Sequence, residues 1–218
     1  MAQRIAFFDF DDTLCKGDSI FPYLLYAIGQ GYALWWQVWA ALGGYLRWRV
    51  NPASASNAKA WTLSFIKGRS REEMDALGRS FFQHKQSGRF FSAGRDELER
   101  LRAEGYRVVV VTASAEVYMR LLPEFLPVDD VIATRCPLDG SGCYTGEIGP
   151  NCKGDEKPRR IQAWLEEQGL DVDWHACRAY GDSASDAPML RLVGRPVLVN
   201  PKKSLRNILP AAIAVRWQ

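Results

Sequence analysis

The apolar positions of this chain fall into short unbroken runs that alternate with longer stretches at helical spacing. The first run, Ile5-Ala6-Phe7-Phe8, stops at Asp9-Phe10-Asp11-Asp12-Thr13-Leu14. It predicts a buried parallel strand whose carboxyl end carries the polar residues. Arg107 to Thr112, Val128 to Ala133, Cys177 to Tyr180, Pro196 to Val199 and Ala212 to Trp217 are further strand candidates. Between them helices are expected over Ser92 to Ala103, stopped at Gly105, and from an N-cap at Ser114 through Leu122. Two more follow, Lys157 to Gln168 with Pro158 tolerated in the first turn, and one after Asp182 through Val193. Leu138-Asp139-Gly140-Ser141-Gly142 predicts a hairpin. Such alternation implies an α/β fold with a doubly wound parallel sheet, whose sites lie outside the carboxyl ends of the strands. That rule puts Asp9, Asp11, Thr112 and Asp182 at one edge.

One segment interrupts the alternation. Ser19 to Leu46 holds no charged residue, a length that raises a transmembrane helix. Pro22, Gly29-Gln30-Gly31, Gln37 and Gly43-Gly44 break it, so two helices are expected, about Phe21 to Ile28 and Tyr32 to Leu46. The second is crowded with Trp35, Trp36, Trp39 and Tyr45, and Trp48 follows it. These rings are expected to pack within a helical cap, with a membrane-facing surface as the lesser reading. From Asn57 to Lys85 charges return at helical spacing, and Ser70-Arg71-Glu72-Glu73 has the form of a capping box. The expected organisation is a core of residues 1–15 and 91–218 with a helical insert of residues 16–90.

Composition narrows the function. At 218 residues, 47% hydrophobic and 24% charged, the chain is globular. A net charge of +3, with no basic run interleaved with aromatics, argues against a nucleic-acid partner. The five cysteines are odd in number and lack a C-x-x-C pair, so they read as reduced thiols. No leader pattern opens the sequence, and a cytoplasmic location is expected. His84 and His175 are isolated and receive no role. A G-x-S-x-G elbow and a Walker loop are both missing, which removes the commonest rival hydrolases.

The acidic cluster after the first strand carries the chemistry. Alternation along an extended chain lets Asp9 and Asp11 lean toward one side. Like charges so close raise one another's pKa unless a cation lies between them or one stays protonated. A calcium loop fails, because its twelfth position counted from Asp9 is Ile20 where a Glu is needed. An acidic turn and a phosphoryl-transfer site with an aspartate nucleophile both remain.

Asp9-Phe10-Asp11-Asp12-Thr13 resembles the Asp-x-Asp-x-Thr motif of the haloacid dehalogenase (HAD) superfamily. Val108-Val109-Val110-Val111-Thr112, Lys157 and Tyr180-Gly181-Asp182-Ser183-Ala184-Ser185-Asp186 follow in that family's order. The insert resembles the cap of its phosphoserine-phosphatase-like branch, subfamily IB. The resemblance implies a Rossmann-like core, an Asp9 nucleophile, Asp11 as general acid and base, and Thr112 and Lys157 gripping the phosphoryl group. It implies Mg²⁺ held by Asp9, Asp182 and the backbone carbonyl of Asp11, with Asp186, Thr13 and Ser183 in support. Asp18, Ala113 and Ser114 fall at substrate-binding positions. Two departures stand out: Asp18 where phosphoserine phosphatase has Glu, and Thr112-Ala113-Ser114 where it has Ser-Gly-Gly.

The implied substrate is a small phosphorylated metabolite such as phosphoserine or histidinol phosphate. Some related members act on phosphatidylglycerophosphate, with which a Trp-rich cap is compatible. The rival from another class is a non-catalytic phospho-acceptor or binding module. Receivers are shorter, lack the insert, and give Asp11 no reason to be a carboxylate.

Overall fold

The computed structural model describes residues 2–39, 42–43 and 55–218. Six strands form one sheet: β1 (Ile5–Phe8), β2 (Arg107–Ala115), β3 (Asp130–Thr134), β4 (Arg178–Gly181), β5 (Arg195–Val199) and β6 (Ile213–Val215). Their order is β3-β2-β1-β4-β5-β6, and every neighbouring pair is parallel. The chain winds outward from β1 to β3, then returns to the other side of β1 with β4. Where the winding reverses, the carboxyl ends of β1 and β4 open a crevice.

Strand periodicity decides what each face buries. Ile5, Phe7, Val109 and Val111 join Ile161 and Leu165 of the helix Glu156–Gln168 on one side. Ala6, Phe8, Val108 and Val110 join Leu98 and Leu101 of the helix Ser92–Ala103 on the other. With both faces covered the strands read as unbroken apolar runs. Register carries the polar ends into place: Phe8 pairs with both Val110 and Tyr180, and the Asp9 N–H donates to the Tyr180 carbonyl at 2.9 Å.

Among the described residues, helices follow β1 where the spacing implies them. Ile20–Gly29, Ala55–Thr62 and Arg71–Phe81 are helices. Tyr23, Leu24, Met74, Leu77 and Phe81 extend the apolar layer on the second face of the sheet. The capping box forms, Ser70 Oγ accepting from Glu73 N–H and Glu73 accepting from Ser70 N–H. Gly78 lets this helix lie close to the turn beyond Glu116–Met119, where a methyl group would meet Leu121 Cδ1 at 2.6 Å.

Three expectations are corrected. β2 runs to Ala115, and the following helix is only Glu116–Met119 with Ala115 before it. Ser114 therefore lies in the strand, because its hydroxyl is engaged across the sheet edge instead of capping its own chain. The tryptophans do not pack inside the cap: Trp35, Trp36, Trp39 and Trp61 are exposed. Of the second apolar helix, residues 36–39 and 42–43 are helical, while 40, 41 and 44–46 lie outside the described residues, as does Trp48. Among the described residues no helix is long and apolar enough to cross a membrane.

Candidate active site

Four elements meet at the crevice. Asp9 follows β1, Thr112 lies near the carboxyl end of β2, Asp182 follows β4, and Lys157 enters from the first turn of the helix Glu156–Gln168. All four are buried. Lys157 Nζ donates to Asp9 Oδ1 at 2.6 Å and to Asp186 Oδ1 at 2.7 Å. A lysine at a helix N-terminus opposes the macrodipole, but here two carboxylates hold it. Burial works against its charge, yet Asp186 and Asp9 outweigh that and keep Lys157 protonated above its usual range.

The carboxylates are unequal. Burial, opposed by Lys157 and reinforced by Asp186, pushes Asp9 up to about 8. Asp186 is buried too, but Lys157 and the Ser183 hydroxyl and N–H, at 2.8 and 3.0 Å, hold it below the usual carboxylate range. Burial raises Asp182, against the pull of Lys202, whose Nζ lies 2.6 Å away. Gly181 makes the cluster possible: a Cβ there would stand 2.6 Å from Asp186 Cβ. Thr13 Oγ1 lies 3.4 Å from Asp9 Oδ2.

Asp11 is set apart. Its carboxylate accepts from Ser114 Oγ at 2.6 Å. Ser114 Oγ is 2.9 Å from Ser19 Oγ, which is 2.9 Å from Tyr118 OH. Burial and then Asp18 push Asp11 up to about 7, with the Ser114 and Ser19 hydroxyls pulling it down. A carboxyl that titrates there can give and take a proton near neutrality.

Asp18 is exposed, and its Oδ1 accepts from the Ile20 and Phe21 N–H groups at 2.9 and 3.3 Å, opening the helix Ile20–Gly29. Thr112 Oγ1 accepts from Ser114 N–H at 3.0 Å, within the end of β2 where its register against β3 shifts between Val111 and Ala115.

Sequence reasoning missed Lys59 and Lys202. Lys59 reaches from the helix Ala55–Thr62 to the Ala113 carbonyl and, at 2.6 Å, to Asn151 Oδ1. Burial pushes its ammonium down to about 8, against Asp11 and Asp18. Lys202 spans Asp182 and Asp12 Oδ2, the latter at 3.2 Å. A lysine on a helix and another after a strand carry no local signal of such roles.

Carboxylate oxygens of Asp9, Asp182 and Asp186 lie within 4.8 Å of one another. All are hard oxygen donors, and Asp9 and Asp182, raised first by burial against the pull of Lys157 and Lys202, would be returned to the ionised form by a cation. A hard divalent cation fits that donor set. Asp186 lies within this grouping beside Asp9 and Asp182, while the Asp11 side chain turns to Ser114.

Residues 6–191 match the haloacid dehalogenase-like hydrolase family, and the chain belongs to that family. A Streptomyces azureus protein named "Inhibition of morphological differentiation protein" is 38% identical over 120 residues, 55% of this chain, and the match spans only 42% of its own length. A Mycobacterium tuberculosis protein named a phosphoserine phosphatase is 28% identical over 93% of this chain and 67% of its own. A Neisseria meningitidis serogroup C histidinol-phosphatase is 26% identical over 94% of each. Among solved structures, a Bordetella pertussis Tohama I protein of unknown function superposes with a TM-score of 0.85 at 27% identity, covering 99% of both chains.

Proposed function

We propose that this chain is a Mg²⁺-dependent phosphomonoester hydrolase that works through an aspartyl-phosphate on Asp9. The observation that carries this reading is the convergence of Asp9, Asp182 and Lys157 from β1, β4 and a helix start at the point where the sheet's winding reverses. Asp9, Asp182 and the backbone carbonyl of Asp11 would hold Mg²⁺, which supplies positive charge against a dianionic phosphate and keeps Asp9 ionised. Asp9 attacks phosphorus, splitting one hard displacement into two easier ones. Asp11 protonates the departing alkoxide and then takes a proton from the attacking water. Thr112 and Lys157 bind the phosphoryl oxygens, Asp186 and Ser183 fix Lys157, and Thr13 supports Asp9.

Residues 16–90 act as the cap that excludes water from this step. From the cap side one acid and one base, Asp18 and Lys59, act on Asp11. Asp18 on that side suits a small phosphomonoester bearing an amino group, of the phosphoserine or histidinol phosphate kind, with Asp18 as its countercharge and Ala113 and Ser114 at the phosphoryl end. Turnover of p-nitrophenyl phosphate with Mg²⁺, followed by a panel of phosphorylated metabolites, tests the reading. Turnover undiminished by EDTA contradicts the metal, and no turnover of any phosphomonoester contradicts the activity.

A further inference from the structure

The cap carries a helix turned inside out. Gln37 is its buried polar residue, 3% exposed, accepting from Leu34 N–H at 2.7 Å and donating to Ser64 Oγ at 2.9 Å. Val38 beside it packs against the core, but the larger apolar side chains face the other way: Leu34 is 65% exposed, Trp35 67%, Trp36 55%, Trp39 74% and Leu42 44%. Trp35, Trp39 and Leu42 stand four and three residues apart, the spacing of one helical face, with Trp36 beside them. Gln37 pins the segment to the cap, so the outward aim of this face is built in. Trp61 adds a further exposed ring at 45%.

Charge says what covers it. From Ser19 to Arg71 the sequence holds six basic residues, Arg47, Arg49, Lys59, Lys67, Arg69 and Arg71, and no acidic one, although the whole chain has 28 basic and 25 acidic residues. Lys59 is turned into the site and Arg69 pairs with Glu73 at 3.6 Å, while Lys67 and Arg71 are exposed, and Arg47 and Arg49 bracket Trp48 in the sequence. A second copy is a poor occupant, because a two-fold contact sets the same basic flanks against each other. A tryptophan face in a stretch from Ser19 to Arg71 whose charges are all basic suits the boundary of an anionic bilayer, where indole rings sit at headgroup level and cations meet lipid phosphates.

We propose that the Leu34-to-Leu42 face docks the cap reversibly on an anionic lipid surface. The ring faces enter the headgroup boundary without spanning, and the basic flanks supply the attraction. The proposal does not rest on the catalytic reading.

Flotation of the intact protein with vesicles of phosphatidylcholine mixed with phosphatidylglycerol tests it, beside vesicles of phosphatidylcholine alone. Binding is expected to the mixed vesicles, with a blue shift of tryptophan emission, weakening about fivefold for each cation screened as salt is raised. The double variant Trp35→Ser, Trp39→Ser should lose at least about tenfold in partitioning, because two interfacial rings are removed. Unchanged circular dichroism would show that the double variant is folded. No binding to the mixed vesicles, equal binding to both kinds, or equal binding by the folded double variant overturns the proposal. A concentration-dependent dimer abolished by the same substitutions, without vesicle binding, assigns the face to a second copy and overturns it too. The single variants Trp35→Ser and Trp39→Ser give the same readout in smaller steps if the double variant misfolds.

Discussion

Replacing Lys157 by Met removes one nitrogen and keeps the apolar stem. That nitrogen is the countercharge of two buried carboxylates, 2.6 Å from Asp9 and 2.7 Å from Asp186, and the Lys157 side chain is 1% exposed. Removing one partner of a buried ion pair typically costs about 3–5 kcal/mol, because the remaining charge has no solvent to turn to. At about 2–4 °C per kcal/mol for a chain of this size, the melting temperature in EDTA should fall by roughly 6–20 °C.

The loss should depend on pH. Without Lys157, Asp186 rises from its depressed value and Asp9 rises further. Each then has a folded pKa above its unfolded one, so it costs nothing below about pH 4 and most at and above neutrality. Scanning calorimetry of parent and variant in EDTA, from about pH 4 to pH 8, reads both effects. A fall under about 2 °C at neutral pH, or a fall of equal size at every pH, would refute the reasoning.

The metal-free parent should show a slope of the same sign. Folding raises Asp9 from 3.8 to about 8 and Asp11 from 3.8 to about 7, so their stabilising contribution is complete below about pH 4 and is lost as pH rises through those values. The depressed Asp186 acts in the opposite sense, but its window lies below about pH 4. Mg²⁺ added near neutrality should therefore release protons, measurable by titration calorimetry in buffers of different ionisation enthalpy, and proton uptake would contradict this. Gly181→Ala should push Asp186 off Lys157, since the new methyl meets Asp186 Cβ at 2.6 Å and Cγ at 3.0 Å. A misplacement of about 1 Å in the catalytic group is worth about 10² in turnover, and steady-state kinetics showing parental kcat would count against that role.

The sheet and its polar edge were legible because two local rules agree. Apolar runs such as Ile5 to Phe8 and Val108 to Val111 announce strands buried on both faces, and parallel strands deliver their last residues to one edge. Asp9, Asp11, Thr112 and Asp182 follow from those rules, whereas Lys157, in the first turn of a helix, came from the resemblance to the HAD family's motif order. What stayed hidden depends on contacts between distant residues. Ser114 obeys a local N-capping rule on paper but bonds Asp11, 103 positions away. Lys59 meets Asn151 across 92 positions, and nothing in its neighbourhood distinguishes it from a solvated helix lysine. The tryptophans follow burial propensity in the sequence, and the fold overrides it by burying Gln37 in their place.

The central claim is that phosphorus passes through the Asp9 carboxylate, and one variant can hold it there. Asp11→Asn keeps the nucleophile and the backbone carbonyl but removes the group that activates water, typically a contribution of about 10²–10⁴ in rate. With p-nitrophenyl phosphate the leaving group departs without a proton, so the first step proceeds while the second stalls. Rapid acid quench and mass spectrometry of the peptide containing Asp9 should reveal a phosphate adduct on Asp9, lost when Asp9→Asn is added. An adduct on any other residue, or turnover surviving in Asp9→Asn alone, would contradict the account.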